Sequence, residues 1–454
     1  MVLNRQGLSQ EIRVWRHTFV FLFVLNFAFL VLLFFSTLMP STVIAKRIKR
    51  AIETKELVES DYLQYDVHRG WHQYNDCNIL QMMINPDSSW AGQALGPWLY
   101  MADSSATEAC RTLRELVVDK QNTTSFVSSR YTRYWHGYIP IISVLLMFLE
   151  ISTLRMILRV AVYSAVLLLL LSAIRERLFL LLTAPVAIAG VFFWGLPYFG
   201  QGMSHAPGDS VVMLGIACLI FWHHKFAEPV RLIPFCASFG AVVVYFTMLT
   251  GPIPIAAGLL FPTVYILSRL TNHTETSINH HFRLATIALV AFAIGAVLTV
   301  GVKVLLAAIF VQPNGLDTFT GNLQLYTRPL DSAAYIPGFL RPLGRLLRRG
   351  VVLSYGNNWG LAVLYVSAML SWLASAWLAF QRANRLSWAD LLAFIIGATS
   401  IPIWTLILQT HTFMHAGFMA RILIVPISLG WASMLWQLSL KHRQQSKERA
   451  RFYV

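Results

Sequence analysis

The sequence predicts an all-α polytopic membrane protein, and three observations carry that expectation. Apolar stretches of about 20 residues recur along the chain, long enough to cross a bilayer core as helices. Only 13% of the 454 residues are charged against 56% hydrophobic, too little charge to cover a water-soluble fold of this length. Lys and Arg gather in short loops between the apolar stretches, as they do on the cytoplasmic side of a membrane. The apolar runs are continuous and Leu-rich rather than alternating, which argues against a β-barrel.

The first run, Thr18 to Leu38, follows Arg5, Arg13 and Arg16. It is too long for a signal-peptide core and has no small-residue cleavage site behind it, so it reads as an uncleaved spanning helix. Basic residues then fall in short loops: Arg175 with Arg177, Lys225 with Arg231, Arg269 with Arg283, and Arg382 with Arg385. The tail adds Lys441, Arg443, Lys447, Arg449 and Arg451. Placing all of these and the N-terminus in the cytoplasm gives about ten spanning helices. After the first, these are Leu154–Ile174, Leu178–Leu196, Ser210–Trp222, Leu232–Leu249, Ile253–Leu267, Leu284–Val311, Trp359–Phe380, Leu391–Leu408 and Gly417–Leu438. The apolar run Tyr138 to Leu149 is too short to span, and counting it would move every basic loop outside. It is expected to lie along the outer surface.

Four regions follow. Residues 1–38 hold the cytoplasmic N-terminus and first spanning helix, and 39–153 form a large extracytoplasmic loop carrying surface helices. Residues 154–438 form the helical bundle, and 439–454 a basic cytoplasmic tail. The net charge of +15 is explained by the basic loops and does not call for a nucleic-acid partner. Membrane lipids are the evident partners of the basic residues. Arg341, Arg345, Arg348 and Arg349 share an amphipathic segment with Leu340, Leu343, Leu346 and Leu347, suited to anionic headgroups or to a carrier phosphate. Cys77 and Cys110 lie in the first polar segment and either pair or stay as thiols, whereas Cys218 and Cys236 fall in apolar runs.

No P-loop, GxGxxG, HExxH or GxSxG pattern is present. The chemistry-bearing residues concentrate in the first polar segment. Asp66 to Cys77 holds two carboxylates (Asp66 and Asp76), two histidines and two aromatics, and Trp90 and Trp98 follow. The run from Ser129 to Tyr138 contains Arg130, Arg133 and His136. Aromatic faces beside carboxylates and amides suit a sugar, although an interfacial aromatic belt with snorkelling arginines accounts for part of the pattern. Asp209, in His205-Ala206-Pro207-Gly208-Asp209, reads as a helix N-cap or as a supporting carboxylate. Arg159 and Lys303 sit inside apolar runs, where an ionisable group is a functional candidate. His411, His415 and Arg421 gather near the start of the last span.

The layout resembles the GT-C superfamily of membrane glycosyltransferases, in which a first helix leads into a large outer loop with surface helices and a catalytic carboxylate. The counterparts here are Asp76, then His136-Gly137-Tyr138-Ile139-Pro140 opening the surface helix, then Arg155 or Arg159, then Asp209. The RYWHGY run also looks like one in bacterial surface-polysaccharide membrane proteins, so a bacterial inner membrane is expected. The paired acids often found after the first helix in that superfamily are absent.

The resemblance implies transfer of a sugar from a polyprenyl-phosphate carrier to a glycan, lipid or protein hydroxyl, with inversion. Asp76, or Asp66 after it, is the expected general base. His136, Arg130, Arg133, Arg159, Asp209, His205, His415 and Arg421 are the expected substrate-binding residues. No cofactor is required, although some relatives with paired carboxylates use a divalent metal. The competing readings are a transporter or lipid flippase for envelope precursors, which would favour repeat symmetry and broken mid-membrane helices, and a membrane O-acyltransferase, which would want a histidine in the helical core. His223 and His224 instead sit at a cytoplasmic helix end.

Overall fold

The structure is a computed structural model. It describes residues 5–61, 73–84, 89–101, 108–119, 126–193, 200–247, 251–271, 278–311, 315–330, 338–353, 358–382 and 385–452. Asp66, the second expected base, lies outside these residues.

The chain starts with a long apolar helix, α1 (Arg5–Thr37), followed by the amphipathic α2 (Ser41–Glu53), which buries Ile44, Ile48 and Ala51 on one face. The first polar segment continues with α3 (Tyr74–Ile84), α4 (Trp90–Leu95), β1 (Trp98–Met101), α5 (Ala109–Val117), β2 (Val127–Arg130) and α6 (Tyr138–Phe148). β1 and β2 form an antiparallel pair with Trp98 opposite Arg130. The bundle follows as α7 (Ile151–Ile174), α8 (Leu180–Phe193), α9 (His205–Phe221), α10 (His223–Phe226), α11 (Pro229–Phe246), α12 (Pro252–Thr271) and α13 (Ile278–Phe310). Its last part comprises α14 (Gly315–Thr327), α15 (Arg341–Leu353), α16 (Asn358–Arg382), α17 (Arg385–Ile407), α18 (Gln409–Met414), α19 (Ala416–Met419) and α20 (Ile424–Phe452).

Among the described residues, eight helical stretches are long and apolar enough to cross a membrane, and they include α1, α7, α11, α12, α13 and α17. Large apolar side chains are exposed around the outside, such as Phe23 and Phe27 on α1, Val297 on α13 and Phe380 on α16. Buried polar side chains lie inside, an inversion that suits a lipid surround. The chain is an all-α polytopic integral membrane protein. Two of the ten expected spans correspond to shorter apolar helices, Arg177–Val191 and His205–Phe221. α6, with 11 residues, is about 16 Å long, half of a bilayer core.

Two expected boundaries are corrected. α9 begins at His205 rather than Ser210, because Pro207 sits in its first turn, where a missing N–H costs no hydrogen bond. Asp209 is therefore inside the helix and is not its N-cap. The last long helix begins at Ile424 rather than Gly417, again with a proline, Pro426, in the first turn, and a 3-10 turn over Ala420–Leu423 precedes it.

Backbone packing is closest between α11 and α13. A Cβ at Gly295 would lie 1.8 Å from the Ala237 carbonyl oxygen, and one at Gly240 would lie 2.1 Å from that of Phe292. These reciprocal glycines bring the two helices into direct backbone contact.

Candidate functional site

The first turn of α3 distributes three consecutive side chains to three parts of the protein. Tyr74 lies in the electrostatic reach of Arg133 and Tyr326. The Asn75 amide meets His205 Nε2 at 3.3 Å. Asp76 reaches α7, where Arg155 Nη2 donates to its Oδ2 at 3.3 Å, and the Met203 backbone N–H donates to its Oδ1 at 2.8 Å. Both carboxylate oxygens of Asp76 are thus engaged, and the Asp76 and Arg155 side chains are 4% and 3% exposed. Burial pushes the Asp76 carboxyl up, and the Arg155 guanidinium opposes that shift. Arg155 also donates to the Glu56 carbonyl at 2.9 Å. Of the two arginines the sequence offered, Arg155 pairs with the acid, and Arg159 donates instead to Gln201.

α3 is held by a Cys77–Cys110 disulfide to α5, so the pair left open by the sequence is bonded. Asp61, missed by sequence reasoning, accepts from the backbone N–H groups of Ala109 at 3.1 Å and Cys110 at 2.9 Å, capping α5 from a distance.

The run from Arg130 to Tyr138 ties the polar segment to the bundle. Arg130 stacks on Trp98, its cross-strand partner, with 3.9 Å from guanidinium carbon to ring centre, and donates to the Gly96 carbonyl. Trp135 Nε1 donates to the Thr299 carbonyl on α13 at 2.7 Å, and the Gly137 N–H donates to the Tyr245 carbonyl on α11 at 3.0 Å. A Cβ at Gly137 would lie 2.4 Å from the Tyr245 ring, which stacks at 3.9 Å on Phe29 of α1.

His136 is fully buried with a left-handed φ of 57°. Its Nε2 lies 2.9 Å from the Tyr131 carbonyl, which can only accept, so Nε2 carries the proton and Nδ1 accepts from the Tyr138 hydroxyl at 2.9 Å. Burial, with Lys303 and Arg133 nearby, lowers its pKa to about 3. His136 is a neutral, fully satisfied imidazole that shapes the backbone.

Arg133 is the cation this run presents to a cavity. The cavity has a volume of about 250 Å³, and its walls include Val300, Phe319, Leu323, Trp404 and Ile407. Arg133, Lys303, Thr247 and Tyr326 supply its polar groups. Arg133 donates to the Tyr326 hydroxyl, and Lys303 donates to the Leu95 carbonyl. His411 and His415 stand over Tyr326, with ring centres 4.5 and 6.4 Å from it. Burial and Arg133 lower the His415 pKa to about 4. Tyr326 carried no signal in the sequence, and Lys303 was visible there only as a charge in an apolar run.

Beside this cavity, Arg421 Nη1 donates to Asp209 Oδ2 at 2.8 Å, both side chains being buried. Asp209 Oδ1 is buried with no hydrogen-bond partner among the described residues. His205 and Asp209 are one turn apart and share a face of α9. Gly208, between them, abuts Thr247, a cavity residue, since a Cβ there would lie 3.3 Å from the threonine methyl.

The expected residues therefore form two adjoining groups bridged by Tyr74, Asn75 and Asp76. One gathers at the cavity, where Arg133 lines the wall, His415 stands over Tyr326 and His136 holds the backbone behind it. The other joins α3, α7 and α9 through Asp76, Arg155 and His205, with Asp209 on the same helix as His205 and paired to Arg421 of the 3-10 turn before α20. Arg130 is a strand-pair contact next to the first group. Compared with family models, with curated proteins and with solved structures, the chain matches none.

Proposed function

We propose that the protein is a membrane glycosyltransferase that moves a sugar from a polyprenyl-phosphate carrier to an acceptor hydroxyl. The observation that carries this reading is the apolar cavity with Arg133 and Lys303 in its lining. Apolar walls suit an isoprenoid chain, and the cations suit a phosphate whose charge grows as the sugar leaves. In this reading Asp209, rather than Asp76, is the base. Asp76 has both oxygens committed to Arg155 and Met203, whereas Asp209 keeps one oxygen unpartnered. In this scheme the acceptor hydroxyl attacks the anomeric carbon and gives its proton to Asp209, while the carbon–oxygen bond to phosphate breaks. The single displacement inverts the anomeric centre. Asp76 acts as a positioning residue that holds α3 against α7.

The proposed setting is a bacterial inner membrane with both termini cytoplasmic and the first polar segment outside, which places the basic loops inside. Purified protein in lipid nanodiscs, given radiolabelled polyprenyl-phosphate sugars, should release free polyprenyl phosphate and form a labelled product. Arg133→Ala and Lys303→Met should each weaken carrier binding by roughly ten- to a hundred-fold, the loss expected for one charge-assisted hydrogen bond. Unchanged carrier binding in both variants would remove the cavity from the reading. Movement of intact lipid-linked sugar across vesicles without product would replace the enzyme by a flippase.

A further inference from the structure

We infer a transition-metal site formed by Glu176, His223 and His224, at the far end of α7 from the candidate site. Arg155 and Glu176 are separated by about 30 Å along the chain's helical rise, so the inference is independent of the glycosyltransferase reading.

The group forms where two helix junctions meet. α7 ends at Ile174 and turns through Arg175 and Glu176 into a 3-10 turn at Arg177–Phe179. α9 ends at Phe221, and α10 opens with His223 and His224. One donor atom from each of Glu176, His223 and His224 lies within 4.8 Å of the other two.

His223 is the buried member, 2% exposed, with its ring edge-on to Phe179 at 5.9 Å. Its Nδ1 lies 3.0 Å from the Ile220 carbonyl, which can only accept. Nδ1 therefore carries the proton of the neutral ring, and the Nε2 lone pair is turned toward Glu176 Oε1 at 3.9 Å. In the neutral ring two acceptors thus face each other, and a cation, either a proton or a metal ion, is what pairs them. An ion with bonds of about 2.0–2.2 Å to nitrogen and oxygen fits between atoms at this separation. A backbone carbonyl on the second ring nitrogen is also the usual way a metal-ligating histidine is oriented. The His224 ring lies 3.7 Å from that of His223, centre to centre, and is exposed, so it has room to turn a ring nitrogen, already within 4.8 Å of the other two donors, toward the same ion.

Two imidazoles and one carboxylate select borderline divalent ions such as Zn²⁺ over Mg²⁺ or Ca²⁺, which prefer all-oxygen sets. Three protein ligands leave a fourth position for water. The ion joins the α7–α8 connection to the α9–α11 connection, a staple across the end of the bundle.

The test uses full-length protein in detergent, with any affinity tag removed and metal stripped by a chelator. Titration with Co²⁺ should give visible ligand-field bands that saturate at one equivalent. Zn²⁺ should displace Co²⁺ and Mg²⁺ should not. Glu176→Gln and His224→Ala, at partly or fully exposed positions that leave the core intact, should each weaken Co²⁺ binding by about ten-fold or more. Zn²⁺ should raise the thermal midpoint of the wild type and not of these variants. Absent bands, or equal binding by wild type and both variants, overturns the site and leaves a histidine–glutamate contact only.

Discussion

Asp76 and Arg155 meet at 3.3 Å with both side chains almost sealed from solvent, and this contact joins the first polar segment to the opening turns of α7. Each charge is compensated there by the other, with the Met203 N–H and the Glu56 carbonyl completing the contacts. Removing one partner of a buried ion pair typically costs about 3–5 kcal/mol, because the remaining charge is left uncompensated. Asp76→Asn and Arg155→Gln should therefore each lower the thermal midpoint, and the double variant should lose less than the sum of the two. Differential scanning fluorimetry on the four proteins measures this. Strictly additive losses would show that the pair is not coupled.

Asp209→Asn tests the assignment of the base. A carboxamide still accepts a hydrogen bond from Arg421 but takes no proton from an attacking hydroxyl. Turnover should fall on the order of a hundred- to ten-thousand-fold, with carrier binding retained. Single-turnover kinetics beside an equilibrium binding curve separate the two. Near-normal turnover in a folded Asp209→Asn protein would return the role to another acid.

Gly137→Ala should be strongly destabilising although it adds one methyl group. That methyl would sit 2.4 Å from the Tyr245 ring, which is trapped against Phe29. Overpacking at such a point costs about 1–3 kcal/mol. A fall in thermal midpoint with rescue by Tyr245→Leu, which vacates the space, is the expected pattern.

His136 gives stability a pH dependence. Its folded pKa, about 3, lies below the ordinary histidine value of about 6.5. The unfolded chain therefore takes up a proton that the folded protein refuses. Stability from this group is complete above about pH 6.5 and is lost as pH falls from there toward 3, by up to about 1.4 kcal/mol per pH unit. His415, lowered to about 4, acts in the same direction. Thermal midpoints between pH 7.5 and 5 should show this slope. It should flatten in His136→Asn, since asparagine tolerates the left-handed backbone and does not titrate there.

The spanning helices were legible because apolar length is a local property of the chain, and the basic stretch at Arg341–Arg348 was legible as an amphipathic helix for the same reason. Pairings were not. Asp76 stood out in a dense polar run, yet what defines it is Arg155, 79 positions later. Lys303 was visible as a charge in an apolar run, but its acceptor is the Leu95 carbonyl, and no backbone carbonyl announces itself in a sequence. Of the two roles the sequence offers Asp209, helix cap or supporting carboxylate, the cap fails because α9 opens one turn earlier, with Pro207 in that first turn. In the RYWHGY run, Arg133 and His136 are the expected substrate contacts, but His136 is held by the Tyr131 carbonyl, Trp135 and Gly137 by carbonyls of α13 and α11, and it is Arg133 that brings a charge to the cavity.

The disulfide at Cys77, one residue after Asp76, makes maturation of the site depend on compartment. Such bonds persist where the surroundings are oxidising and are reduced in the cytosol. With the bond closed, α3 is anchored to α5 and its first turn is presented to Arg155, His205 and Met203. With the first polar segment outside, as in the proposed topology, a chain inserted in the opposite sense would carry two thiols and an untethered α3. On that topology, closing the bond that anchors α3 to α5 doubles as a check on delivery.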